Sequence, residues 1–555
     1  MTYLEELLVT ACDQLFSISV QPQLSRPGEQ FGDFASNVAL QLAKELGQPP
    51  RQVAEQLKDY LDANKDSSIA KIEIAGPGFL NFSFNDVTLW QTASAKFKKS
   101  MTGQKVLLEY SNPNAFKELH TGHLYQTIVG DSIGRLLEAS GAEVYRANFG
   151  GDVGLHVARC MWGILQKLGG PELTKLTTVS PEDQAAWISQ AYVAGAKADQ
   201  EGSTAAAEIK QLNQAVYGFH TNDDHESPLA QIYWQCRDWS YSYFKRFYED
   251  LEVAPFDKFY PESTTTEAGL ALVKANLGSV FTESQGAVVF KGEEYGVHTR
   301  VFITSAGLPT YETKDLGVIA SENTDFDYTK RVVMTGNDQS EYMRVVFAAL
   351  MQFDEALAAK QMHITNGTVR FGDGQKMSSR LGNVTRAAEV IEVVQKAVEA
   401  DNPALRRQIS LGAIKYAFLK QRLGGDIAFD VHESVSLQGN SGPYLQYAQA
   451  RAQSILKKAV ALSDLQNPEF TDGERSLVRK LSEHNSVVEQ AVSDLAPHLI
   501  TTYLYELAQV FNRFYENNRV IGDDRQDLRL TLVSKYAATL KSGLELLNIP
   551  APDKI

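Results

Sequence analysis

Residues 105–124 read KVLLEYSNPNAFKELHTGHL, and this stretch decides the fold. KVLLEYS has the continuous apolar character of a strand buried on both faces. The polar loop NPNAFKELHTGH leads into the apolar-periodic helix LYQTIVGDSIGRLLEAS, which Gly141 is placed to end. AEVYRANFGGDVG then reads as a second strand with a glycine-rich exit. Strand, loop, helix, strand is the opening of a parallel doubly wound sheet. His120-Thr121-Gly122-His123 lies where the loop meets the helix N-terminus. Backbone N–H groups and the helix dipole favour an anion there. Gly122 lets a ligand approach the backbone, and two imidazoles are able to donate to phosphate oxygens. Alone, the same four residues are equally an ordinary capping turn with two surface histidines.

Working outward, residues 1–97 form a small α+β domain. Its first sixteen residues have helical periodicity, a second helix runs from Asp33 or Ser36 through Leu46, and KIEIAGPGFLNFSF suggests a strand pair about a Gly-Pro-Gly turn. The α/β domain is placed at 98–387, with a helical insertion at about 160–255. VVFKGEEYGVHTRVFITSAG returns to strands, and RVVMTGNDQ is a strand entering a polar turn. Residues 388–555 are almost wholly helical, with aromatic and basic residues interleaved. The fold class is thus α/β multidomain: a Rossmann-like parallel-sheet domain, a small N-terminal α+β domain and a C-terminal all-α domain.

Bulk properties bound the function. The 555 residues are too many for one core and imply three or four domains. No apolar run reaches the ~18–20 residues of a membrane span, and the acidic, amphipathic N-terminus does not resemble a secretory signal. Cys12, Cys160 and Cys236 are scattered and form no CxxC pair. They are expected to be buried thiols in a reducing cytosol, which gives a cytoplasmic expectation. The formal charge of −15 argues against a coat of nucleic acid, so any grip on RNA must be local.

A second loop changes the reading of HTGH. GDGQKMSSRLGN, residues 372–383, has glycines on both sides of Lys376-Met377-Ser378-Ser379-Arg380. An HxGH segment early in a nucleotide-binding sheet with a KMS segment late in it resembles the paired signatures of class I aminoacyl-tRNA synthetases. That resemblance implies that His120, His123 and Lys376, with Gly122, Met377 and Ser378, handle the triphosphate of ATP. It also implies that Gly336 and Asp338, after strand RVVM, face the ATP ribose, although a strand-ending turn is the plain alternative. Gln339 and Ser340 depart from the histidines common in that family.

The resemblance extends over almost the whole chain to the arginyl-tRNA synthetases. EYSNPNAFKELHTGHL and PTYETKDLG are similar to family segments, the latter with Lys314 in place of arginine. GDFASNVALQLAKELG and IAGPGFLNFSF resemble the family's N-terminal domain, and SGPYLQYAQARAQSIL the opening helix of its anticodon-binding domain. The resemblance implies an enzyme that activates arginine with Mg²⁺-ATP and transfers it to tRNA-Arg; the sequence itself shows no dedicated metal cage, and a monomer with no membrane partner is expected.

Residue by residue, the family pattern assigns arginine binding to Glu109, Asn114, Tyr311 and Asp315. A permanently charged, planar guanidinium needs carboxylates and favours an aromatic face. Without the family match, Tyr311 and Asp315 are simply an exposed helical pair and Glu109 a strand-edge charge. The same pattern places Phe79 and Asn81 against the tRNA D-loop. It sets Tyr444, Tyr447 and Tyr503, with Arg451, Lys457 and Lys458, against the anticodon loop. Core packing is the alternative for each aromatic. Ile555 stands where the family has a terminal methionine, and Ser379 where the general class I motif has a second lysine. Some family members lacking that lysine carry one at the position of Lys117, which is therefore assigned to the triphosphate. The remaining rivals are another class I synthetase and a catalytically silent tRNA-binding paralogue.

Overall fold

The computed structural model describes residues 2–371, 380–381, 384–457 and 465–555. At its centre is a five-stranded, wholly parallel sheet. The spatial order is Gln361–Asn366, Lys330–Gly336, Lys105–Glu109, Glu143–Gly150, Lys258–Pro261. The first strand in sequence is thus the middle one. The chain winds outward from it in one direction and later in the other, so the strand order reverses between Lys105–Glu109 and Lys330–Gly336. The carboxyl ends of those two strands are the place where open α/β sheets bind ligands. HTGH follows the first of them and Asn337–Gln339 the second.

Beyond the exposed Lys105 the middle strand is buried, because Val106, Leu107 and Leu108 all pack into apolar layers, as their uniform hydrophobicity requires. The helix after it starts at Thr121, three residues earlier than the apolar periodicity at Leu124 suggests. Capping by the histidines themselves extends it into the motif. The insertion is helical as expected, with helices Leu155–Leu168, Gln184–Ala198, Thr204–Thr221 and Pro228–Asp250. They enclose a separate core of Met161, Ile164, Ile188, Val216, Phe219 and Tyr233. The strands at Phe281–Ser284, Ala287–Phe290 and Arg300–Ile303 form an antiparallel sheet of their own rather than joining the parallel one.

The N-terminal unit is a four-stranded antiparallel sheet covered by helices Thr2–Phe16, Val38–Leu46 and Pro50–Asn64. Its second helix begins only at Val38, because Phe34–Ser36 pairs in register with Leu80–Phe82. That strand is secured by the buried Asp33, whose carboxylate accepts from Phe84 N at 2.8 Å and pairs with Arg475 at 2.8 Å. Arg475 belongs to the C-terminal helical domain, so the two end domains are joined by a charged seam. Arg26 extends it by donating to Ser482 Oγ at 3.2 Å. All three cysteines are buried and free. Among the described residues no helix is long and apolar enough to cross a membrane.

Candidate active site

His120 is the N-cap of the helix Thr121–Ala139. Its Nδ1 accepts from Gly122 N at 3.0 Å, while His123 Nδ1 accepts from His120 N at 3.2 Å. This is a reciprocal capping box built from two imidazoles in place of the usual hydroxyl and carboxylate. The rings stack with centroids 3.8 Å apart. Because each Nδ1 is an acceptor, each ring must carry its proton on Nε2. Burial, and then the charge of Lys117, pushes His120 down to about 4; burial, His120 and Lys117 hold His123 well below its ordinary value. Both imidazoles are therefore neutral near pH 7, each with an Nε2–H left to donate. Gly122 is required beneath them, since a Cβ there would lie 2.8 Å from His120 Cε1.

Lys117 is largely enclosed beside this pair, with its ammonium 5.3 Å from the centre of the Tyr192 ring. Burial lowers its pKa, against the opposing pull of Glu262. No hydrogen bond or ion pair engages its ammonium among the described residues. Lys376, Met377 and Ser378 lie outside the described residues. Earlier in the chain, Val369–Phe371 pairs in parallel with Ile427–Phe429. Later in the chain, Arg386 bridges to His120 and forms ion pairs with Glu118 and Glu389 at 3.3 and 2.8 Å. Arg386 thus lies against the HTGH turn. Asp338 is exposed at the end of the second central strand, folded back over Gly336, where a Cβ would meet its Oδ1 at 2.5 Å.

The same domain buries a group of neighbouring carboxylates, Asp315, Glu109, Glu262 and Glu312. Asp315 and Tyr311 occupy the first turns of the helix Tyr311–Asp325, with Tyr311 57% exposed and Asp315 8% exposed. Asp315 accepts from the Tyr342 hydroxyl. Burial, followed by the charge of Glu109, raises its pKa well above the usual carboxylate range despite the nearby Arg331. An anion at this site thus lacks a full counter-charge. Asn114 tethers the loop, its Oδ1 accepting from Gly151 N at 2.9 Å. A Cβ at Gly151 would come 2.5 Å from that oxygen and displace the Asn114 side chain.

Glu109, which the family pattern assigns to the guanidinium, already has two internal partners. Each of its oxygens accepts one hydrogen bond: Arg331 Nη2 donates to Oε2 and Asn112 Nδ2 to Oε1, the latter at 2.8 Å. Arg331 also donates through Nε to Glu322 at 2.5 Å. A carboxylate 1% exposed requires an internal counter-charge, and Arg331 on the adjacent strand supplies it. Sequence spacing missed Glu262 altogether. This buried carboxylate pairs with Lys314 at 2.6 Å and lies on the same side as Asn114 and Gly151. The only sequence signal for it was the lysine at 314, a buried cation that needs a partner.

Three family models match consecutive parts of the chain. They are the arginyl tRNA synthetase N terminal domain over residues 2–84, the catalytic domain of tRNA synthetases class I (R) over 87–431, and the DALR anticodon binding domain over 445–555. The chain belongs to the arginyl-tRNA synthetase family. The arginine–tRNA ligase of Thermobifida fusca is 30% identical over 562 residues, covering 95% of this chain and 94% of that protein. The arginine–tRNA ligase of Lactococcus lactis is 30% identical over 577 residues, covering 99% and 97%. The arginyl-tRNA synthetase structure of Thermus thermophilus superposes with a TM-score of 0.81 at 26% identity over the full length of both chains.

The remaining residues that the synthetase pattern singles out divide by exposure. Phe79 is 39% exposed at the start of its strand, so it is not a core residue, whereas Asn81 two residues on is buried. Tyr447 is 44% exposed. Tyr444 is half-buried, its hydroxyl accepting from Asn512 Nδ2 at 2.8 Å and its ring set edge-on to Tyr505. Arg451 stacks 4.5 Å over the Tyr515 ring. Tyr503 is a correction: it is 2% exposed and donates to Lys480 O at 3.2 Å. It sits on the inner face of its helix with Ile500, Leu504, Leu507 and Phe511, so its ring is core and unavailable to RNA. Tyr505, two residues further on, is half-exposed beside Tyr444. Lys458 lies outside the described residues.

Proposed function

We propose that this synthetase condenses arginine with ATP to arginyl-adenylate and pyrophosphate, then transfers the arginyl group to the 3′-terminal ribose of tRNA-Arg. The reading is supported most by one observation at the sheet's switch point: two buried, neutral imidazoles are fixed as Nε2–H donors at a helix N-terminus, beside the Lys117 ammonium. In the first step the arginine carboxylate attacks the α-phosphorus and pyrophosphate leaves. Charge gathers on the phosphate oxygens, and His120, His123 and Lys117 are the donors assigned to it, with Lys376, Met377 and Ser378 completing the site from the second loop. Neutral imidazoles suit this work because they stabilise charge by hydrogen bonds without giving up a proton.

Asp315 takes the guanidinium and Tyr311 covers it. Asn114 uses its free amide nitrogen toward the carboxylate end of the substrate, and Glu109 acts at one remove, by holding Arg331 and the strand end in place. Asp338, with Gly336, takes the ribose. Mg²⁺ arrives as part of the Mg-ATP substrate, bound to phosphate oxygens. The domain plan is 1–97 for the tRNA body, 98–387 for chemistry and 388–555 for the anticodon, in a monomer. The deciding experiment is ATP–pyrophosphate exchange over all twenty amino acids, with and without tRNA-Arg. Dependence on arginine alone is expected, and exchange driven by another amino acid overturns the assignment.

Phe79 and Tyr447 are exposed, so their truncation leaves the core intact. Phe79→Ala and Tyr447→Ala are each expected to weaken tRNA use by about 1–3 kcal/mol, the cost of one lost base stack. Arginine and ATP kinetics should stay within about twofold, on the scale of substitutions outside a site. Unchanged tRNA KM in either variant removes that ring from the RNA surface.

A further inference from the structure

Nine non-glycine residues among those described have a left-handed backbone, and three of them fall in one six-residue loop. Ser111, Asn112 and Phe116 have φ of 72°, 46° and 68°. A bulky residue such as Phe116 adopts this conformation only when its surroundings impose it. The loop is the one that connects the middle strand to the HTGH turn and carries Asn114 and Lys117. Its backbone makes little regular structure, so its buried N–H groups need partners from elsewhere.

Those partners come from the helical insertion, chiefly from one helix. On Pro228–Asp250, Ser240 Oγ accepts from Phe116 N at 3.1 Å, and the Tyr243 hydroxyl accepts from Leu119 N at 3.4 Å. The Tyr248 hydroxyl shares a hydrogen bond with Ser111 Oγ at 3.0 Å, and the Tyr233 ring stacks on Phe116 at 5.5 Å. Positions 233, 240 and 248 are seven and eight residues apart, two helical turns each, so they form one stripe. From the adjoining helix Gln184–Ala198, Ser189 Oγ accepts from Glu118 N at 3.5 Å. Thus the loop is held from Ser111 to Leu119 by side chains of the insertion.

We propose that the insertion acts as a clamp on the 111–120 loop, with Ser240 and Tyr243 as positioning residues that keep Lys117 and the two histidines aligned for adenylate formation. The catalytic part of this inference rests on the proposed ligase function. Both residues touch the loop backbone, at Phe116 N and Leu119 N, so each acts through the loop. Without the Ser240 hydroxyl, Phe116 loses the partner that holds its strained backbone, and the loop relaxes toward right-handed conformations that displace Lys117.

Ser240→Ala and Tyr243→Phe remove one acceptor each and keep the remaining packing. Two readouts on full-length protein are needed: single-turnover arginyl-adenylate formation, run with tRNA-Arg present, and backbone amide exchange by mass spectrometry. Each variant is expected to form adenylate about five- to tenfold more slowly, the scale of one neutral hydrogen bond. Arginine and ATP KM should change less than about twofold, as for groups that do not touch substrate. Exchange should quicken in the peptide spanning 110–120 and not in the insertion helices. Unchanged rate and unchanged loop exchange in both variants overturn the clamp. So does faster exchange spread through the whole insertion with a lowered melting midpoint, which marks a purely structural role. Amide exchange reads the clamp without any activity, so a wild-type protein inert toward arginine overturns the ligase reading separately.

Discussion

Lys117→Ala is expected to slow arginyl-adenylate formation by roughly 10²–10³, the effect of losing one transition-state donor. The motif places Ser379 where the general class I pattern has a lysine, so the triphosphate lacks one expected cation from that side. Lys117 is positioned to replace it from the other side: its charge depresses both His120 and His123, and no hydrogen bond or ion pair engages its ammonium among the described residues. Its own pKa is lowered by burial, so the rate should fall as pH rises through that lowered value and the ammonium is lost. Arginine KM should stay within about threefold, because the contact is made with phosphate. Restoring lysine at position 379 in the Lys117→Ala background should recover part of the rate. Full-speed adenylate formation by Lys117→Ala would show the ammonium to be a bystander.

Asp315→Asn should weaken arginine binding by about 2–5 kcal/mol while ATP binding is little affected, since a buried charge loses its partner. The amide still accepts from Tyr342, so the helix Tyr311–Asp325 keeps its packing. The raised pKa of Asp315 gives a second expected outcome. Between the ordinary carboxylate value and its raised value, the arginine-free site holds a proton, whereas the guanidinium needs the anion. Arginine should therefore bind more tightly as pH rises through the raised value, with release of a proton. For the free protein the sign is opposite: the contribution of this group to stability is full below the ordinary carboxylate pKa and is lost as pH rises through the raised one. Added arginine should offset that loss. Titration calorimetry in two buffers of different ionisation enthalpy measures the proton directly, and a binding enthalpy independent of buffer excludes it. Unaltered arginine KM and turnover in Asp315→Asn removes the residue from the pocket.

Local pattern was enough for much of this molecule. The uniformly apolar KVLL, the glycine after the helix and the next apolar strand identified a parallel sheet, because those features arise from backbone geometry and burial on two faces. The position of HTGH at a helix N-terminus was equally local. Four things depended on residues brought together from distant parts of the chain. The tautomer and neutrality of the two histidines arise from their mutual capping and burial. Glu109 is committed to Arg331, which is 222 residues away and becomes its neighbour only through strand pairing. Tyr503 and Tyr505 look alike in sequence, yet the first faces a core and the second does not, because helix packing sets which stripe is inward. The strained loop holding Lys117 is supported by Ser240 and Tyr243, each 124 residues beyond the backbone group it binds. Sequence determines periodicity, capping and the chemistry each side chain is able to perform. Tertiary structure decides which charges are already neutralised and which donors remain free, since burial and partner distance are properties of the folded chain alone.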